Sequence, residues 1–345
     1  MTKRASTKGG ATELPGQLPT GLSWAELVDW AVGDAGSLAA AARRVAAARG
    51  YKEDAASIER ALRRLRGRGH SDGGAWGDRV LSTFGVPPQA EERARFLGAY
   101  HSRFTDLPLP LCRDLVAVWD RPPLSDAPAC ATWLALARAS CALRGREDAD
   151  VATQLERARA GLSAGPPEAR VEHALVEAYA RTPTSPERAR EQLDVAEGEL
   201  RAAGVLDARA APSADWACLH VRWTDQRAYA CNRLRPPRYD ESEALYDAVP
   251  LRGAPPFVAS RRAGGLAYVA WKRGRRDQAV AFAREASTRA GDGGHLRLRA
   301  MSLSMLGRIL GGDEGHSYRM RAIDIARRLD DESLRLRFER PAPSL

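Results

Sequence analysis

Gly161-Leu162-Ser163-Ala164-Gly165 matches the G-x-S-x-G spacing of a serine nucleophile. That chemistry needs a strand before the serine and a helix after it. Here a helical pattern precedes and Pro166-Pro167 follows, so the stretch is expected to be a turn. The six histidines (70, 101, 173, 220, 295 and 316) share no metal-ligand spacing. His70 stands alone in a Gly/Ser/Asp stretch. His220 and Cys218, two residues apart on a helix, point to different faces. Cys112, Cys130, Cys141, Cys218 and Cys231 are odd in number, widely spaced and contain no C-x-x-C pair. They are expected to be free, mostly buried thiols of a reducing cytoplasm. No H-E-x-x-H, no G-x-x-x-x-G-K-[ST] and no G-x-G-x-x-G after a strand is present. No catalytic residue, metal ligand or cofactor site is therefore predicted, and the reading is of a non-enzymatic binding protein. Two polar sets are left to carry function.

The first set lies on a short basic helix. Residues 21–70 read as three helices, Trp24–Ala31, Leu38–Ala48 and Ala55–Arg66, with Ser23, Ser37 and Asp54 as N-caps and Gly50 and Gly67 as stops. In the third, Ile58, Ala61, Leu62 and Leu65 make one apolar stripe. Arg60, Arg63 and Arg64 fall opposite it, Arg66 and Arg68 flank them, and Ser57 sits in the first turn. An apolar back with an Arg/Ser front suits docking into a DNA groove, where Arg reaches phosphates or guanine edges. The stretch resembles a helix-turn-helix domain with Ala55–Arg66 as recognition helix. The second helix and the link Gly50-Tyr51-Lys52-Glu53 are longer than that family has. Gly67–Gly77 reads as a wing beside the third helix or as a linker. The other reading of residues 21–70 is an Arg-rich helical cap without nucleic-acid contact.

The second set lies on the helix around Trp223. Arg222, Asp225, Gln226, Tyr229, Asn232 and Arg233 recur at spacings of three and four, a long hydrogen-bonding face. A solvated face with a local Arg222–Asp225 pair would show the same pattern.

These sets need a scaffold, and Pro255–Gly291 gives its pattern. Leu266, Ala267 and Ala270 share one helical face, and Ala279, Phe282, Ala283 and Ala286 another, joined through Gly274. One hairpin cannot bury both its faces and requires neighbours. Leu266, Ala267, Gly274, Ala279 and Ala286 resemble the tetratricopeptide repeat (TPR) at the family's own offsets. Ala178, Ala189 and Ala196, and Ala139, Val151 and Ala158, resemble it less closely. Expected hairpins are Cys130–Arg144 with Ala149–Leu162, Glu168–Arg181 with Pro186–Ala203, Ala214–Leu234 with Asp240–Val249, Pro255–Gly291, and His295–Leu310 with Ser317–Leu329. The resemblance implies a right-handed α-solenoid whose first helices line a groove, where the six residues around Trp223 would meet a peptide or protein partner.

The expected fold class is thus all-α, a TPR-like solenoid behind a small helix-turn-helix-like domain. The 345 residues divide into a disordered tail (1–20), the basic helical domain (21–70), a linker and adaptor with helices Ala75–Phe84, Gln89–Phe104 and Leu111–Trp119 (71–126), the solenoid (127–335) and a frayed tail (336–345). Residues 1–70 carry 12 Lys/Arg against 7 Asp/Glu, a net +5 of the chain's +9. That asymmetry favours a polyanion partner for the front end, although Arg is preferred to Lys throughout. No apolar run reaches the length of a membrane span. The layout resembles peptide-responsive regulators that set a DNA-binding domain ahead of TPRs, which implies a cytoplasmic protein and admits a homo-oligomer. The alternative is a pure interaction scaffold.

Overall fold

The computed structural model describes residues 21–48, 53–206 and 212–339. The expected tail 1–20, the stop at Gly50, the link through Tyr51 and Lys52, and residues 340–345 lie outside the described residues. Among the described residues every regular element is helical.

The front end holds α1 (Trp24–Ala35), α2 (Leu38–Ala48) and α3 (Ala55–Arg66). Ser23 and Glu26 make a reciprocal capping box on α1. The Asp54 carboxylate caps α3 by accepting the Ser57 N–H at 2.7 Å. Ile58, Ala61, Leu62 and Leu65 are all buried, so the apolar stripe of α3 does face inward. α4 (Gly74–Phe84) begins inside the expected Gly67–Gly77 loop, and the remaining loop closes over Trp24, whose Nε1 donates to the Ser71 carbonyl at 2.8 Å. α5 (Pro88–Gly98), a 3₁₀ turn (Arg103–Asp106) and α6 (Leu109–Trp119) complete the adaptor. One hydrophobic cluster runs from Trp24 to Val176, across the expected boundaries near residues 70 and 126. The front helices therefore share their core with the first hairpin.

Five helix pairs follow: α7 (Pro128–Gly145) with α8 (Asp148–Gly161), α9 (Pro167–Arg181) with α10 (Pro186–Ala202), α11 (Ala214–Arg233) with α12 (Tyr239–Asp247), α13 (Pro256–Lys272) with α14 (Arg276–Asp292), and α15 (Leu296–Leu310) with α16 (Gly312–Arg328). The members of each pair touch. The first helix of each pair also touches the first helix of the next, and the second helix touches it too. The small residues lie at these crossings: Ala178, Ala189, Ala196, Ala267, Ala279 and Ala286 are completely buried. Gly274 takes φ +74° in its turn. At the α12–α13 contact, a Cβ on Gly265 would stand 2.0 Å from the Tyr246 ring, so only glycine fits.

Two expectations are corrected. Gln89–Phe104 is not one helix: α5 stops at Gly98, where a Cβ would come within 2.4 Å of the Trp133 carbonyl oxygen. The expected tail is ordered through Glu339, because α17 (Glu332–Glu339) buries Leu334 and Phe338 against α15 and α16. α17 also touches α7, and the Leu109 N–H donates to the Leu329 carbonyl at 2.9 Å. The two ends of the row meet.

Candidate functional site

The meeting point is polar. Asp331 caps α17 by accepting the Leu334 N–H at 3.0 Å, and its other oxygen takes Arg297 Nε at 2.8 Å and Arg144 Nε at 3.3 Å. Arg144 Nη2 donates to the carbonyls of Leu107 and Leu329, both at 2.9 Å. Buried charges survive only when paired and hydrogen-bonded in this way. Burial opposes the charge on Arg297, but Tyr100, Asp331 and Tyr179 outweigh it and hold the guanidinium above its ordinary pKa.

Beside this junction the chain between α5 and the 3₁₀ turn runs past four hairpins. The Tyr100 N–H donates to Glu172 Oε1 on α9 at 3.2 Å. His101 Nε2 lies 3.3 Å from Asp215 on α11, and its ring packs on Phe257 of α13. Asp106 accepts the N–H of Arg297 at the start of α15 at 2.8 Å and lies 3.5 Å from His295. The Tyr100 ring has the guanidinium of Arg222 5.0 Å from its centroid and that of Arg297 at 5.1 Å. The His101 hydrogen bond, then Arg95, hold Asp215 below its usual carboxylate value although burial pushes the other way. Tyr100 beside it, together with burial, pushes Tyr179 up to about 12.

The six residues assigned to a partner divide at this face. Arg222 is buried and paired with buried Glu172, not with Asp225. Asp225 accepts the Tyr246 hydroxyl at 2.7 Å and Arg261 at 2.9 Å, so the local pair with Arg222 is replaced by contacts to α12 and α13. Gln226 Oε1 and Asn232 Oδ1 are buried without a hydrogen-bond partner among the described residues. Tyr229 is half-buried. Arg233 is exposed, with one long contact to the Pro183 carbonyl.

On α3 the basic residues face solvent. Arg60, Arg63, Arg64, Arg66 and Arg68 are exposed and Ser57 is half-buried. Arg60 Nη2 donates to Ser57 Oγ, Arg63 pairs with Glu59 at 3.1 Å, Arg66 with Asp29 at 2.5 Å, and Arg68 donates to the Asp72 carbonyl. Arg64 has no ion pair among the described residues.

The catalytic-looking stretches resolve as turns and core. Ser163 is exposed in the turn after α8. The five cysteines are free and buried, and burial pushes the thiols of Cys130, Cys141 and Cys218 up to about 12. Such thiols stay protonated and unreactive. Among the described residues no three His, Cys, Asp or Glu side chains gather as a metal site, and no helix is long and apolar enough to cross a membrane.

Sequence reasoning missed the Ala99–Asp106 segment and the buried charges that meet it. Glu172 and Glu177 inside the apolar run of α9 were the available signal, since charges on a buried face require partners.

No protein-family model matches the chain, and no curated protein or solved structure matches it.

Proposed function

We propose that the chain is a non-enzymatic binding protein: a right-handed row of TPR-like hairpins whose first helices form an inner face for an extended peptide or protein segment. One observation carries this reading. A single stretch, Ala99–Asp106, is held by side chains or backbone of α9, α11, α13 and α15 in turn. A face that binds backbone N–H groups and aromatic rings from one irregular segment is chemically fit for another. Gln226, Tyr229, Asn232 and Arg233 are the groups we assign to the partner. Arg222 and Asp225 shape the face through their own ion pairs.

The α1–α3 unit is the proposed DNA-contacting head of a cytoplasmic regulator, with Ser57, Arg60, Arg63, Arg64, Arg66 and Arg68 facing the duplex. Partner binding that alters the row or its self-association would re-space two such heads. A second reading, an interaction scaffold in which α1–α3 only cap the row, draws support from the core those helices share with α7 and from the carboxylates already on Arg63 and Arg66. Binding of random duplex DNA at about 50 and 200 mM salt separates the two, because phosphate contacts give a steep fall with salt. No binding at the lower salt removes the DNA-contacting head and leaves the scaffold.

A further inference from the structure

Tyr100 differs from the aromatic residues of the core. Trp24 and Phe104 are fully enclosed among apolar side chains, whereas Tyr100 is half-buried in polar surroundings. The guanidiniums of Arg222 and Arg297 lie 5.0 and 5.1 Å from its ring centroid, with the Tyr179 ring 6.0 Å away. Each guanidinium is anchored independently of the ring, Arg222 by Glu172 and Arg297 by Asp331. Glu172 also presents an oxygen to the Tyr100 backbone N–H. Cations fixed by buried carboxylates keep their places when the ring departs, so the slot is formed by the hairpins and not by its occupant. Guanidinium over an aromatic face is attractive, and more so when both are desolvated.

Ala99 and Phe104 of the segment join the apolar core, while its polar residues meet the hairpins. His101 meets Asp215 and Phe257, and Asp106 meets the Arg297 N–H and His295. The segment supplies a tyrosine, a histidine and an acid, and the hairpins supply complementary groups to each. Tyr100 and His101 lie in a turn closed by the Ser102 N–H, which donates to the Ala99 carbonyl at 2.9 Å.

We propose that the inner face contains a slot for a tyrosine side chain on a turn-forming peptide, and that Tyr100 fills it from within the chain, so that an incoming tyrosine segment must displace it. The inference rests on the proposed peptide-binding role of this face and adds the ligand's chemistry and an internal competitor. Attachment in cis gives Tyr100 an effective concentration on the order of millimolar, which weakens every external competitor. The apparent affinity of a free peptide is reduced by the fraction of molecules in which the slot is open.

The test uses the full chain and an acetylated, amidated Ala-Tyr-His-Ser peptide, titrated by calorimetry into wild type and Tyr100→Ala. The expected result is binding to Tyr100→Ala that is about tenfold or more tighter than to wild type, and lost when the peptide's tyrosine is replaced by alanine. A folded Tyr100→Ala protein, by circular dichroism, that binds no more tightly than wild type overturns the proposal. Should that variant not fold, hydrogen exchange of the wild-type protein decides: the Tyr100 amide is expected to exchange faster at millimolar peptide, and unchanged exchange overturns the proposal. A wild-type protein that binds other peptides through Gln226 and Asn232 while the Tyr100 amide stays protected defeats the tyrosine slot and leaves the peptide-binding role standing. Absence of binding of this peptide by both proteins overturns the tyrosine slot.

Discussion

The Asp331 carboxylate lies 2.8 Å from Arg297 Nε, and both side chains are buried. Arg144 shares the same oxygen, so one carboxylate from the end of the row holds guanidiniums from its first and fifth hairpins. Asp331→Asn keeps the N-cap of α17, since Asn caps as well as Asp. It leaves two buried guanidiniums without their shared counter-charge, and such a loss costs about 3–5 kcal/mol. Chemical denaturation of the variant is expected to show a loss of that size, with Asp331→Ala losing about 1 kcal/mol more through the cap. A stability within about 1 kcal/mol of wild type for Asp331→Asn would mean that the ends of the row are joined by packing and not by this charge.

Two helical glycines are predicted to respond to alanine with opposite sign. In α4 a Cβ on Gly77 would stand 2.6 Å from the Trp24 ring, which is itself buried and tied to Ser71. The ring cannot retreat, so Gly77→Ala is expected to destabilise by about 1–3 kcal/mol through overpacking. Gly198 in α10 has nothing within 4 Å of a new Cβ. There alanine restricts the unfolded chain and favours helix, so Gly198→Ala is expected to stabilise by about 0.4–1 kcal/mol. Thermal melts of the two variants beside wild type check both signs.

How much of this was legible in the sequence depends on whether a feature is local. The hairpins were, because Ala267, Ala279 and Ala286 mark helix crossings by spacing alone and all three are completely buried. The N-caps Ser23 and Asp54 were legible for the same reason: each acts on a backbone N–H three residues away. The Ala99–Asp106 segment was not. Phe96, Leu97, Tyr100 and Phe104 keep helical spacing through it, so pattern alone continues α5 across Gly98. The helix ends at Gly98, which packs against the Trp133 backbone, 35 residues distant in the chain. The ion pairs were hidden likewise. Arg222 has Asp225 within local reach but pairs with Glu172, and Asp225 turns to Tyr246 and Arg261. Choice among many Arg and acid residues is made by tertiary packing, which a single chain does not spell out.

One buried histidine, His173, and one half-buried, His220, set a direction for pH dependence. Burial lowers the pKa of His173, against its bond to the Leu155 carbonyl and the nearby Glu177, and burial alone lowers that of His220. An unfolded histidine titrates near 6.5. As pH falls below about 6.5, the unfolded chain takes up protons that the folded chain refuses. The contribution of neutral histidine is therefore complete above that pH and is lost as pH falls towards the depressed folded values. Denaturation midpoints are expected to drop between about pH 7.5 and 5.5, and to drop less in His220→Gln. A midpoint that rises on acidification would contradict the burial argument.

The arginines of α3 are not equivalent, and that inequality makes the DNA proposal specific. Arg63 and Arg66 each have a carboxylate partner, Glu59 and Asp29, that a phosphate would have to replace. Arg64 is exposed with no ion pair among the described residues, and Arg60 donates to Ser57 and the Ala56 carbonyl. A phosphate contact releases condensed counterions, so each one lost lowers the steepness of log affinity against log salt by about 0.9. Arg64→Ala is expected to flatten that slope by about one contact on random duplex, and Arg63→Ala by less, because the charge of Arg63 is already met by Glu59 and releases fewer counterions. Equal slopes for wild type and Arg64→Ala would show that this helix face does not meet phosphate, and would favour the capping role for α1–α3.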